Sequence, residues 1–358
     1  MMFFLVFIVS VVLVFLSVDA FILLKEWQSR IHIGRWEDRL KWQKAIEKKA
    51  EKWLNHTPTV KMTAQNRLIL LDILKGKYRN ATIQTWQIAG LLLGLEKKDA
   101  ERYTKSHQYL CVQSNVLPED FLLAYALKKH GLLDEEKERV ILDSCQKFRE
   151  SGTIYYRPWV KHIRFVDTLG MVLPFLHSCG WDDLANRQLE EYDQALLQGV
   201  FPAHAYDIEK NIPLGVHDWG RGIGWYILGL IETDDMGGNA ARILRLANAL
   251  LPFQLNSGGF SCFMFNRAER MESSGTVLAG LLFLQAYRIS SEKTFLAAAF
   301  RVEKALMCST RRNGVLDNCQ GDTFGIGYYS HVFSIMPFAQ GLALKLSKEL
   351  NQYTDENA

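Results

Sequence analysis

Hydrophobic positions fall into two regimes along the chain. From Met2 to Leu24 they are almost continuous, MFFLVFIVSVVLVFLSVDAFILL, broken only by two serines and Asp19, a run long enough to cross a bilayer as a helix. Beyond residue 60 they recur at three and four residues with few alternating runs, the period of amphipathic helices. That period predicts twelve helices, over 64–75, 83–96, 98–112, 119–131, 134–149, 165–179, 181–198, 217–233, 238–254, 270–288, 291–308 and 331–349. Short links at Lys97, 131–134, Gly180, 233–237 and 289–291 alternate with long ones around 76–82, 113–118, 150–164, 199–216, 255–269 and 309–330. Antiparallel helices joined in this way make six hairpins with every long loop at one end, and in a closed ring that end is the mouth of a cavity. The predicted fold is all-α, an (α/α)6 six-hairpin toroid preceded by a transmembrane helix. An open solenoid of the same hairpins is the alternative, but its repeats would show a firmer period than these unequal loops.

The division that follows is a membrane anchor over 1–24, a helical stalk over 25–60, the toroid over 61–350 and a polar tail over 351–358. A cleavable secretory signal is the other reading of the apolar run, because Val18-Asp19-Ala20 offers small residues at a cleavage point. No Lys or Arg precedes the run, which favours an uncleaved anchor. Lys25, Arg30, Arg35, Arg39, Lys41 and Lys44 all follow it, and the positive-inside bias then places the C-terminal domain in the cytoplasm. The six cysteines, at 111, 145, 179, 262, 308 and 319, form no C-x-x-C pair and suit a reducing compartment.

Composition narrows the function classes. With 48% hydrophobic and 23% charged residues and eight prolines, the 358-residue chain is neither disordered nor fibrous. A formal net charge of +3 is too small to mark a nucleic-acid partner. No spacing of ligands points to a metal or an organic cofactor, and there is neither a G-x-S-x-G elbow nor an H-E-x-x-H pair.

Four segments could carry chemistry. His217-Asp218-Trp219-Gly220-Arg221-Gly222-Ile223-Gly224-Trp225 opens a predicted helix. Its guanidinium suits a carboxylate and its indoles suit the apolar face of a sugar ring, a pairing that fits an acidic sugar. Aromatic helix packing, with Arg221 capping a neighbour, is the alternative, and three glycines in one turn argue against it. Arg157-Pro158-Trp159 is followed by Phe165-Val166-Asp167-Thr168-Leu169-Gly170-Met171, where Asp167 is either an N-terminal helix charge or a desolvated acid able to give and take a proton. His204 stands in the long loop ahead of the arginine cluster, and Glu272-Ser273-Ser274-Gly275-Thr276 opens the tenth helix, where capping alone accounts for its hydroxyls.

Together these segments resemble the unsaturated rhamnogalacturonyl hydrolases of glycoside hydrolase family 105 and, more distantly, the unsaturated glucuronyl hydrolases of family 88, over about residues 64–349. The specific elements are Trp219-Gly-Arg221-Gly-Ile-Gly-Trp225, Phe165-Val-Asp167-Thr-Leu-Gly-Met171 with Pro174-Phe175-Leu176, and Glu272-Ser-Ser-Gly-Thr276. The resemblance implies a six-hairpin toroid acting, without a cofactor, on acidic oligosaccharides that end in a 4,5-unsaturated uronic acid, by hydration of the vinyl ether. It implies Asp167 as proton donor and then base, with Arg157, His204, Trp219, Arg221 and Trp225 lining the substrate site. One departure stands out. Such proteins carry a second aspartate just before an Asn-hydrophobic-hydrophobic-Pro segment, whereas Asn115-Val116-Leu117-Pro118 follows Ser114, and Asp120 replaces that acid only if the loop is rearranged. The departure leaves open an altered substrate, a weakened activity, or a catalytically silent carbohydrate-binding or scaffold protein of surface-polysaccharide assembly or turnover. A sugar isomerase would need paired cavity histidines that the nine scattered ones do not reveal.

Overall fold

The computed structural model describes residues 2–61, 69–76, 78–80, 85–106, 116–150, 152–234, 238–268, 270–323 and 325–353. Its helices are α1 (Met2–Arg30), α2 (Arg39–Asn55), α3 (Ile69–Leu74), α4 (Thr85–Gly94), α5 (Lys97–Ser106), α6 (Pro118–Lys129), α7 (Glu135–Lys147), α8 (Asp167–Ser178), α9 (Asp182–Tyr192), α10 (Gly220–Ile231), α11 (Ala240–Leu250), α12 (Ser273–Ser290), α13 (Lys293–Cys308) and α14 (Pro337–Leu350). Helix α4 packs on α6, α6 on α8, α8 on α10, α10 on α12, α12 on α14 and α14 back on α4. That closes an inner ring of six and excludes the open solenoid. The inner helices are apolar on nearly every face, with Gly220 through Leu230 of α10 all buried, as helices walled in by neighbours must be. The outer helices bury a single stripe, such as Ile243, Leu246, Ala247 and Leu250 of α11.

Two inner contacts need glycine. A Cβ on Gly170 of α8 would stand 2.6 Å from Trp225 Cε3 and 2.7 Å from the Trp225 carbonyl oxygen on α10. A Cβ on Gly341 of α14 would lie 1.9 Å from the Gly90 carbonyl oxygen on α4. These backbones touch because no side chain intervenes.

The expected stalk is only partly a stalk. Residues 39–55 form the sixth outer helix, α2, which packs against α14 and α4 and buries Trp42, Ile46, Ala50 and Trp53 at helical spacing. Each indole removes about 200 Å² from water, roughly 5 kcal/mol as an upper estimate. Asp38 caps the helix by accepting from the Lys41 amide. The Gln340 amide nitrogen donates to the Ile46 carbonyl at 3.1 Å, and Arg39 Nε pairs with Glu303 at 2.6 Å. Of the helix expected over 64–75, the described residues hold Ile69–Leu74, and 64–68 lie outside them. The last hairpin of the ring is therefore made from the two ends of the domain, α14 and α2.

Nor is the chain purely helical, since the long loops carry strands of two or three residues. The largest sheet orders Ile163–Phe165, Ala205–Asp207 and Ile212–Leu214, all antiparallel. Each inner helix begins after a long connection, so all six N-termini face the same end, the mouth. Among the described residues Cys145, Cys179, Cys262, Cys308 and Cys319 form no disulfide; Cys111 lies outside them.

Candidate active site

At the mouth lies a cavity of about 490 Å³ whose wall includes Trp86, Glu119, Asp167, His204, Arg221 and Trp225. Five of these six stand in the first two turns of inner helices α4, α6, α8 and α10. The positive ends of the helix dipoles converge there, a setting that favours an anionic ligand. Asp167 is the first residue of α8. The strand Ile163–Phe165 delivers it by pairing with Ala205–Asp207, and the Val166 amide donates to the His204 carbonyl at 3.0 Å. One short sheet thus brings Asp167 and His204, far apart in sequence, to the same wall.

The Asp167 side chain is 15% exposed, and its Oδ2 has no hydrogen-bond partner among the described residues. Burial raises its pKa to about 6; the Arg221 charge opposes the rise and the Glu119 charge adds to it. His204 Nε2 approaches Asp167 Oδ2 to 4.0 Å, beyond hydrogen-bond range. Its Nδ1 faces the Tyr329 hydroxyl at 3.2 Å and its ring lies tilted over Trp219, centroids 4.6 Å apart. Burial first, and the Arg221 charge second, push His204 down to about 4, so the imidazole is neutral near pH 7.

Arg221 is buried and clamps a loop. Its Nη1 donates to the Gln320 carbonyl and its Nη2 to the Gly321 carbonyl at 2.7 Å, while the Trp219 indole donates to Gln320 Oε1 at 3.1 Å. Glu272 caps α12 through the amides of Ser274 and Gly275 and accepts the Gln320 amide at 2.9 Å. The motif residues Trp219, Arg221 and Glu272 therefore converge on one segment, 320–321, that leads into the cavity wall at Asp322, Thr323 and Gly325. Trp225 packs edge-on to Trp86 at 5.5 Å and forms part of the floor.

All six residues singled out for the site line the cavity, but Arg157 is not solitary there. Its Nη1 donates to Glu119 Oε2 at 3.1 Å and its guanidinium stacks 3.7 Å from the Tyr156 ring centroid. Tyr156 donates its hydroxyl to Glu119 Oε1 at 2.9 Å. Glu119 is the carboxylate that the sequence motifs do not mark. A signal was present nonetheless, since Glu119 follows Pro118 in the first turn of an inner helix, the position Asp167 holds on α8. Asp120 turns back on its own helix, accepting the Leu117 amide at 2.8 Å with its pKa raised by burial, and it is not among the residues that line the cavity. Ser114 itself lies outside the described residues. Among the described residues no three His, Cys, Asp or Glu side chains converge as a metal-binding group.

The fold has counterparts among solved structures. A possible member of glycoside hydrolase family 105 from Salmonella enterica serovar Paratyphi A aligns with TM-score 0.70 and 17% identity over 89% of this chain and 96% of that one. The unsaturated glucuronyl hydrolase from a Bacillus species, responsible for degradation of glycosaminoglycan, aligns with TM-score 0.61 and 17% identity over 91% of this chain and 97% of that one. An unsaturated glucuronyl hydrolase specific for heparin aligns with TM-score 0.67 and 14% identity over 88% and 98%. The chain thus has the six-hairpin toroid fold of families 105 and 88, over the full ring. No protein-family model matches the chain, and no curated protein matches it in sequence.

Proposed function

We propose that the protein is a glycoside hydrolase acting on acidic oligosaccharides that end in a 4,5-unsaturated uronic acid. The observation that carries this reading is Asp167, a cavity carboxyl with an unpaired oxygen and a pKa raised to about 6, poised to exist in both protonation states near neutrality. The fold shared with hydrolases named for unsaturated glucuronyl substrates supports the same chemistry. Asp167 gives its proton to C4 of the vinyl ether. Its carboxylate then takes a proton from water as the water oxygen bonds to C5, which restores the acid. The hemiketal so formed collapses and releases the remaining sugar. One proton shuttle suffices, and no paired nucleophile is needed. Trp219 and Trp225, both almost wholly buried, contribute aromatic wall to the cavity, and Arg157 and Arg221 supply the positive field that holds the uronate carboxylate.

The protein is further read as anchored through residues 2–24, with the ring on the cytoplasmic side. Helix α1 runs 29 residues with a window of mean hydropathy 2.8. Cleavage after Ala20 would remove Asp19, which accepts the amides of Ile69 and Leu70 at 2.8 Å each, and this built-in contact supports retention of the segment. The test is full-length protein in detergent, incubated with unsaturated glucuronyl and galacturonyl disaccharides while the ultraviolet absorbance of the C4=C5 bond is followed. Decay of that absorbance, slowed roughly 10²–10⁴-fold in Asp167→Asn, is expected. Saccharide binding with no decay on any disaccharide would transfer the protein to the scaffold reading.

A further inference from the structure

The way α1 joins the ring fixes which end of the ring meets the membrane. Phe15, Val18, Asp19, Ile22, Glu26 and Arg30 form a stripe of buried and half-buried positions three and four residues apart, so the second half of the helix lies against the body. Both of its polar attachments are to mouth-end connections. Asp19 accepts the first two amides of α3, within the connection leading into α4. Arg30 Nε pairs with Asp317 at 2.7 Å, Glu26 pairs with Arg311 at 3.2 Å, and the Arg312 amide donates to the Ser29 carbonyl at 3.1 Å. That second connection, 309–330, continues through Gln320 to the cavity wall.

The apolar run ends at Leu24, so the hydrocarbon boundary falls near that residue. At a rise of about 1.5 Å per residue, Asp19 lies about 7 Å below the boundary and Arg30 about 9 Å above it. Helix α3, whose first two amides bond to Asp19, must then begin just inside that boundary, beneath the headgroups, and it presents Ile73 and Leu74 to the outside, 43% and 67% exposed. On α1 Trp27 is 61% exposed, at the level where indoles gather in membranes. Two further aromatic residues of mouth loops, Trp159 and Tyr328, are also solvent-facing. A ring standing clear of the bilayer would leave these apolar groups in water and give no reason for Asp19 to be bonded inside an apolar run.

We propose that the mouth end of the ring is seated on the bilayer, and that the cavity therefore receives an acidic glycan chain carried on that membrane surface. Orientation rests on the anchor reading and substrate on the hydrolase reading, and the experiments separate them. Full-length protein is reconstituted in phosphatidylethanolamine and phosphatidylglycerol vesicles doped with one lipid bearing a photoreactive headgroup or another bearing a photoreactive acyl chain. Acyl-chain crosslinks within residues 2–24 test the anchor alone, and their absence removes it together with the orientation. Headgroup crosslinks at Ile73, Leu74 and Trp159, several-fold above those at the opposite-end turns around Gly131, Gly180 and Ser291, are expected. The reverse pattern, or headgroup crosslinks confined to α1, overturns the seating.

For the substrate, an unsaturated uronyl disaccharide joined by a short linker to a lipid in the same vesicles is compared with the free disaccharide. Turnover of both is expected, with Ile73→Glu combined with Leu74→Glu losing the tethered substrate several-fold while the free one is unaffected. Turnover of the free disaccharide alone overturns the membrane-borne substrate. Turnover of neither overturns the hydrolase reading and the substrate with it, while the headgroup crosslinks still decide the seating.

Discussion

His204 Nε2 stands 4.0 Å from Asp167 Oδ2, and the proton affinities of the two groups are displaced in opposite directions. Burial holds Asp167 up at about 6 and His204 down at about 4. Between those values both are neutral, the carboxyl protonated and the imidazole bare. Protonation of a vinyl ether needs the acid form, so kcat/KM is predicted to fall as pH rises through about 6 and to lose this limb in Asp167→Asn, along with roughly 10²–10⁴-fold of rate. A pH profile flat between pH 5 and 8 in active enzyme would remove Asp167 from the proton-donor role.

The same pair gives a stability prediction with opposing signs. A carboxyl with a raised folded pKa holds its proton more tightly when folded, so its contribution is present at low pH and disappears as pH rises from about 4 to about 6. A histidine with a depressed folded pKa costs stability as pH falls below about 6.5, where the unfolded chain takes up the proton first. In the parent the two slopes partly cancel. Asp167→Asn leaves the histidine slope alone, so the melting temperature of the variant should climb more steeply than the parent's between pH 4 and 6. Thermal denaturation across that range checks it, the Asp167 share being about 3 kcal/mol at roughly 1.4 kcal/mol per unit.

Glu119 adds negative charge to the Asp167 environment. Glu119→Gln should therefore move the descending limb of kcat/KM to lower pH by a fraction of a unit and release Arg157 from its ion pair. Measuring the limb in the variant decides the matter. An unmoved limb would mean that the Glu119 charge is not felt at Asp167.

Arg221 satisfies the buried carbonyls of Gln320 and Gly321. Truncation to alanine strands both, at about 1–3 kcal/mol for each unsatisfied group. Arg221→Ala is predicted to lower the melting temperature and to speed amide exchange over 319–323, besides weakening uronate binding. Loss of binding with unchanged exchange would assign Arg221 to ligand contact alone.

Gly170→Ala places a methyl against the Trp225 ring and carbonyl. The overpacking should cost about 1–3 kcal/mol and, because Trp225 forms part of the cavity floor, raise KM for the disaccharide. Denaturant unfolding and steady-state kinetics on the same variant test both halves.

The ring was legible because loop length carries topology: long and short links alternate whatever the detailed helix boundaries. The cavity wall was legible at Asp167, His204 and Arg221 because their segments have distinctive glycines and aromatics nearby. Helix α2 was not, since its lysines and glutamates outnumber the five buried positions Trp42, Ile46, Ala50, Trp53 and Leu54, and a solvated stalk shows the same density of charge. The pairing of Arg157 with Glu119 spans 38 residues, and no local spacing encodes it. The Arg221 clamp was invisible for a different reason: its partners are backbone carbonyls, which every residue possesses.

Closure of the ring by α2 and α14 has a consequence for how the molecule is made. Helix α2 leaves the ribosome early, and the surface that covers Trp42 and Ile46 comes from α14 and from the loop around Gly314, nearly three hundred residues later. During that interval two indoles and an isoleucine wait uncovered beside a nascent membrane segment, and the five intervening hairpins must stack in order before the last can lock the first. Contacts so distant in sequence form late and slowly. Arrest of synthesis anywhere before Leu350 leaves an open crescent, so a truncated chain should be a substrate for chaperones and proteases rather than a smaller enzyme.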